Sequence, residues 1–599
     1  MSDILANYPQ RPSWLFRPGA EERRPIHGAE IVELEAAGCS AEDWSRVLVS
    51  DDFNAARVQR VHFHGDIRLG RFEGKVDRSG VPLPSGVFDA TISNCRIEDD
   101  ARVSGIGLMA DTNVGKGALV SDCDEVLGMA GSTFGNGIRV GLQASNANRS
   151  IPVVADVLFQ DLAPLVRPRP SAIVRASLDL RVAQYQDRCR SDRTIIGAGA
   201  KVTGCRRISG SYVGPGCVIS GAAAVSESTL LSEADGTDGA RVGGGAIVRR
   251  SLLQWNSVAE DGAFVEESLL CEASTVTRKG IVTSSVIGPN TTIAEGEVSA
   301  SVVGPFVGFN HQALLVSACW PEGRGNVGYG ANVGSNHTGR APDQEVHPGE
   351  GTFFGLGINL KMPSSFAEAP YTIIATGVNT NPQRLAMPFS LIVPGHAPDA
   401  PNRLFPGWGL SRNMYGIMRN VWKFSTRNRS RRTAIEADAF RPEVMQHIER
   451  AHDMLASTEP RLAYAEHHVP GFGACVVQHK DFLAGLDAYR ETLRWYALRA
   501  FVRIWDADGA PPRVQDVPYL TSFLTTSDPG MLLELYLAAE RARLAAVLTS
   551  KARDDSRGAK TIEDYVQVHT AAGDDPLYLW AQEQFEQTLE RVAGLQARV

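Results

Sequence analysis

The sequence predicts a mainly β fold, a parallel β-helix of short strands with a helical insertion and an α-helical C-terminal domain. Three observations carry this. Aliphatic residues recur every six positions through long stretches, related phrases recur about every seventeen, and beyond residue 410 both periods give way to long helical patterns. Glycine, 58 of 599 residues, is concentrated before residue 400, where sharp corners between short strands need it.

The repeat is legible in its phrases. SYVG, STLL, SLLQ, SLLC, SVIG and SVVG begin at Ser211, Ser228, Ser251, Ser268, Ser285 and Ser301, spaced 17, 23, 17, 17 and 16 residues apart. The long interval holds SEADGTDGA (232–240), read as an inserted loop. The shorter beat runs through Leu252, Val258, Phe264, Leu270, Val276 and Val282. Three sixes make one triangular coil with aliphatic side chains inside, and stacked coils cover one another's open edges.

The organisation follows in order. Residues 1–90 are a mixed N-terminal cap with a helical period in 28–49. Residues 91–151 hold the first coils, marked by Ile97 with Val103 and by Val114 with Val120. Residues 152–192 have helical spacing and few glycines, read as an insertion projecting from the stack. Residues 193–395 form the main β-helix, 396–409 a Pro/Gly-rich linker, and 410–599 the helical domain.

Composition narrows function. Net charge is -8 with both signs interspersed, which argues against nucleic acid as the main partner. No apolar run reaches the ~18 residues of a membrane span, and the first residues do not read as a secretory signal. Nine scattered cysteines without a CxxC pair fit a reduced, cytoplasmic protein.

The densest chemistry lies in 304–361. VGFNH (307–311) and VGSNH (333–337) are near-identical and 26 residues apart, so their Asn-His pairs are expected to stack if the second loop bulges out. Both residue types also suit corners, because they tolerate left-handed backbone and bond locally. As chemistry, His337 is the candidate general base, with His311 its counterpart, and Asn336 or Asn310 an orienter or oxyanion donor. Glu345 or Asp343 would fix the imidazole tautomer. Arg340 and Lys361 would bind phosphates of a coenzyme or activated sugar. Alternatively His311, His337 and His347 would hold a metal with an open position for water.

The six-residue beat resembles that of the hexapeptide-repeat proteins. This resemblance implies a left-handed parallel β-helix, whereas general crossover rules favour the right hand. Similar acyltransferases use one histidine and an acyl-CoA, acetyl-CoA being the first expectation, with a sugar or nucleotide-sugar acceptor and a homo-oligomer, a trimer by analogy. Similar β-helical carbonic anhydrases hold zinc with three histidines. The segments NHTGRAPDQE, GTFFGLGINLKMPSSF and PYTIIATGV within 327–392 look like a family of large bacterial hexapeptide proteins with a domain of unknown function. That family implies no established reaction. Sugar-1-phosphate nucleotidyltransferases are disfavoured, because their Gly-rich N-terminal motif is missing. The resemblance therefore leaves CoA-dependent acyl transfer first, a non-catalytic scaffold or sugar-nucleotide-binding protein second, and a zinc hydratase third.

Overall fold

The computed structural model describes residues 5–15, 23–141, 150–167, 170–334, 345–397 and 400–598. The chain is largely β, built from long parallel ladders, with a helical C-terminal region. It divides into two compact units. The first is residues 1–323 with 327–346 and 429–434, and the second is 324–326 with 347–428 and 435–599.

In the first unit one sheet has thirteen strands, from Arg24–Pro25 through Val47–Val49, Ile67–Leu69 and Arg96–Ile97 to Val302–Val303 and Cys319–Trp320. Only its first pair is antiparallel. The seventeen-residue repeat is its register, since Leu252 pairs Leu269, Leu269 pairs Val286 and Val286 pairs Val302. Two further ladders advance in step. One runs Val258, Thr275, Thr292, Gly308, and the other Val248, Val265, Val282, Val298, Leu315, Val333.

Burial corrects the six-residue phase. Leu253, Ala259, Val265, Leu270, Val276, Val282 and Ile287 are fully buried, in steps of six, six and five. Seventeen is thus two sixes and a five, and the phase read through Leu252, Val258 and Phe264 is one residue early. Leu252 is also buried, but on the opposite face, because neighbouring strand residues point to opposite sides.

The repeated serines have a structural cause. Ser268 Oγ donates to the Glu266 carbonyl at 2.7 Å and accepts the Ser285 N–H at 3.1 Å. Ser285 repeats this with Thr283 and Ser301, and Ser251 with Arg249 and Ser268. Each hydroxyl satisfies the carbonyl two residues earlier and the buried N–H of the next serine along the sheet, worth about 0.5–1.5 kcal/mol per bond. The residue before each serine has a left-handed backbone, as at Arg250, Glu267 and Ser284. Turns expected to need glycine therefore accept other side chains, whose strain the hydrogen-bonded ladders hold in place.

Helix α1 spans Gly28–Ala36, α2 Phe159–Val166 and α3 Ala172–Cys189. Ser171 caps α3 by accepting the Val174 N–H. Instead of projecting, α2 and α3 lie on the thirteen-stranded sheet. Their Leu162, Leu165, Leu178 and Val182 share one buried cluster with Tyr212, Leu252, Leu269, Val286 and Val302. The basic segment 429–434 is also held within this unit. The Arg432 guanidinium bonds Glu272 at 2.6 Å and Asp238 at 3.2 Å, also pairs with Glu233, and lies 4.5 Å from the Trp255 ring centre. Glu272, 1% exposed, also accepts the Arg431 and Arg432 N–H groups. The 232–240 loop thus supplies two of the carboxylates that hold this strap.

The second unit begins with shorter parallel ladders, including Phe353–Phe354, Ile373–Ile374 and Leu391–Val393. The 396–409 segment supplies strand Asn402–Phe405, antiparallel to Leu391–Val393 and parallel to Cys475–Gln478. Its helices are α4 Trp408–Arg412, α5 Met414–Arg427, α6 Pro442–Ala456, α7 His479–Asp508, α8 Leu520–Phe523, α9 Pro529–Ala559, α10 Tyr565–Val568 and α11 Pro576–Gln596. Asp528 and Asp575 cap α9 and α11, each followed by proline at the first helical position. Gly509, at φ 75°, ends α7. Helix α9 packs against α5, α7 and α11. Among the described residues, no helix is long and apolar enough to cross a membrane.

Candidate functional site

The expected acyl-transfer cluster falls largely outside the described residues: Asn336, His337, Arg340 and Asp343 all do. His311 faces solvent with 61% of its side chain exposed, its Nδ1 3.9 Å from Glu295. Asn310 precedes it, half-buried, just after strand Gly308–Phe309. Glu345 is buried, and His347 ends strand Val346–His347. Lys361 is exposed and donates to Asn381 Oδ1 at 3.2 Å. The two pentapeptides are out of phase. Phe309 pairs with Ile293 in one ladder, whereas Val333 pairs with Leu315 in another. The described residues of the two pentapeptides therefore lie in different ladders, and Asn336 and His337 lie outside the described residues. Among the described residues, no group of three His, Cys, Asp or Glu is placed to hold a metal ion.

The structure instead builds a cavity of about 410 Å³ in the helical region, a volume usual for small-ligand sites. Helical spacing assembles its walls. Trp495, Arg499 and Arg503 are four apart on α7, while Tyr536, Glu540, Arg543 and Val547 follow a 4-3-4 spacing on α9. Met414, Met418 and Val421 of α5 and Trp580, Gln584 and Thr588 of α11 complete it.

Arg543 is its central group. The guanidinium carbon lies 3.7 Å from the Trp495 ring centre and 4.6 Å from that of Phe440. Such stacking contributes about 0.5–2 kcal/mol and leaves the guanidinium edge free to donate. Among the described residues, no acceptor bonds that edge and no carboxylate lies within salt-bridge distance. Burial, only partly offset by Glu540, pushes the Arg543 pKa down to about 10, a measure of how poorly its charge is compensated.

The other charges are better matched. Arg499 pairs with Asp438, and Arg503 stands 3.9 Å from the same carboxylate. Burial pushes Asp438 up, but the charge and hydrogen bond of Arg499, with the Phe440 N–H at 2.9 Å, outweigh it, so the carboxyl ends below its usual range. Glu540 accepts from Trp495 Nε1 at 2.9 Å, which fixes the ring under Arg543. Arg591 stands 3.5 Å from Asp506. In all, Arg499, Arg503, Arg543 and Arg591 line the cavity against Asp438 and Glu540, so its field is cationic.

The wall is supported from behind. Phe440 stacks on Phe389 at 5.7 Å, and Phe389 on Tyr371 at 4.9 Å. The Tyr371 hydroxyl donates to Glu350 at 2.6 Å, and Arg441 clamps that buried carboxylate. Sequence reading placed the helices but not this site, because its walls come from segments up to 177 residues apart, from Met414 to Arg591. The available signal was the four-residue spacing of Trp495, Arg499 and Arg503.

Fold and site together define a mainly β protein of parallel ladders whose helical region encloses an arginine- and tryptophan-lined cavity. The family described as "Domain of unknown function (DUF4954)" matches residues 23–459, and the chain belongs to that family. The matched span includes Asp438 and Phe440, while α7, α9 and α11 lie beyond it. The chain is also similar to a protein of Treponema pallidum (strain Nichols) described as uncharacterized, with 24% identity over 455 residues, 73% of this chain. The match spans 62% of that relative's length.

Proposed function

We propose that this protein binds a small organic anion, a phosphate- or carboxylate-bearing molecule with an apolar or aromatic body, in the cavity around Arg543. One observation carries the reading: a half-buried guanidinium, stacked on Trp495 and without an acceptor among the described residues, faces a ligand-sized space. Partial removal of a charge from water costs free energy, and an anion bound at the guanidinium's accessible edge would offset that cost. Arg499 and Arg503 add to the field, while Met414, Met418, Val421 and Trp580 would contact the ligand's body.

Nucleotide sugars and acyl-CoA belong to this ligand class, so the proposal extends to the sugar-nucleotide-binding and acyl-transfer expectations. The acyl-transfer reading is a proposal of its own and does not rest on the Arg543 cavity: His337 takes a proton from the acceptor's hydroxyl or amine as it attacks the thioester carbonyl, and the C–S bond breaks to release CoA, whose sulfur takes up that proton. The proposal includes a left-handed hexapeptide β-helix for the ladders, a cytoplasmic setting and a homo-oligomer, a trimer by analogy. Support for that fold is the six-six-five burial period.

The test is ligand-dependent thermal stabilisation with UDP-glucose, acetyl-CoA and orthophosphate. A concentration-dependent rise with an organic phosphate, lost in Arg543→Ala, is the expected result. No shift with any of the three would overturn the reading.

A further inference from the structure

A second cationic site stands in the first unit, on the outer face of the thirteen-stranded sheet. Leu48, Arg68, Arg96 and Asn113 are consecutive in register across four parallel strands. Arg68 and Arg96 are thus directly opposite, one strand spacing of about 4.8 Å apart at the backbone. Like charges in that position repel, and a protein without use for them is better served by alternation. With Arg46 and Arg193 they line a groove of about 420 Å³.

The partners of these four are unequal. Arg46 pairs with Asp66 at 3.1 Å, and Arg96 with Glu98. Arg193 donates to the Asn94 carbonyl at 2.6 Å and to Asn113 Oδ1 at 3.4 Å, which holds it in place without neutralising it. Arg68, exposed, has no hydrogen-bonded or salt-bridged side-chain partner among the described residues. Asp66 is the only acid among the residues lining the groove.

We propose that this groove binds a diphosphate group, one phosphoryl unit on Arg68 and the other between Arg96 and Arg193. Guanidinium forks match phosphate oxygens in pairs, and two forks one strand apart suit two linked phosphoryl groups better than one. The site is separate in sequence and chemistry from the Arg543 cavity, having no aromatic wall.

The test is calorimetric titration of the full chain carrying Arg543→Ala, so that no heat comes from the helical-region cavity. Pyrophosphate is expected to bind saturably, with orthophosphate and succinate at least tenfold weaker. Adding Arg68→Ala should weaken pyrophosphate at least tenfold, while Arg241→Ala, which removes an exposed charge from another ladder, should change it less than twofold. Absence of pyrophosphate binding, equal binding of the three probes, or insensitivity to Arg68→Ala would overturn the proposal.

Discussion

The guanidinium of Arg543 lies face-on to Trp495, 3.7 Å from the ring centre, and Trp495 is itself fixed by its hydrogen bond to Glu540. A stacked arginine keeps its donor edge free, so a cation held by an aromatic face can bind an anion without first breaking an ion pair. The lysine variant separates charge from shape. Arg543→Lys should retain charge but lose the planar fork, weakening an organic phosphate at least tenfold by calorimetry. Arg543→Met should abolish binding yet change unliganded stability by no more than about 1 kcal/mol, because lost cation–π attraction and relieved desolvation oppose each other.

Acid sensitivity tests the Asp438–Arg499 pair. A carboxyl held below its usual range adds stability fully above the unfolded value of about 3.9, and loses it as pH falls through the lower folded value. Asp438→Asn should cost about 3 kcal/mol at pH 7, because it leaves Arg499 without its counter-charge. The deficit should shrink below pH 4. Urea unfolding at pH 7 and pH 3 reads both values, and an equal deficit at both would remove this pair from the account.

The serine ladder predicts a local cost of the same order. Ser268→Ala deletes the donor to Glu266 and strands the Ser285 N–H, at about 1–3 kcal/mol. Its effect should appear as a lower denaturation midpoint. A neutral result would mean that the ladder is decorative.

The strap gives a prediction about mobility. Glu272 is the buried hub for Arg432 and two backbone N–H groups, so Glu272→Ala should free segment 429–434. Limited trypsin digestion should then cut at Arg429, Arg431 or Arg432 at least tenfold faster than in the wild type. Unchanged cleavage would show that other contacts hold the strap.

The catalytic extension stands or falls on His337. His337→Ala should lower acyl transfer 10²–10⁴-fold, on the order expected for a general base. His311→Ala should change it less than about twofold, because that side chain faces solvent beside Glu295. Turnover measured with acetyl-CoA and a nucleotide-sugar panel decides between them, and unchanged turnover in His337→Ala would end its role as base.

The sequence carried the periodicity well and the geometry less well. Repeated serines announced the seventeen-residue register, but not that their hydroxyls join successive strands. The beat through Leu252 ran one residue early, because Leu252 and Leu253 are both leucine and both buried, on opposite faces. The helical insertion could not be placed from its own period, since Leu178 and Val182 meet strands far along the chain. The partners of Arg432, namely Glu233, Asp238 and Glu272, lie 160 or more residues earlier in the chain and could not be read from its own segment. The Arg543 cavity was hidden for the same reason: Phe440, Trp495 and Arg543 meet only after the helices pack.

The most direct test of the central claim is calorimetric titration of the wild type and Arg543→Ala with UDP-glucose and acetyl-CoA. The account predicts saturable binding of at least one of them to the wild type, weakened at least tenfold by Arg543→Ala and unchanged by Arg241→Ala. Binding that survives Arg543→Ala, or no binding of either compound to the wild type, would contradict it.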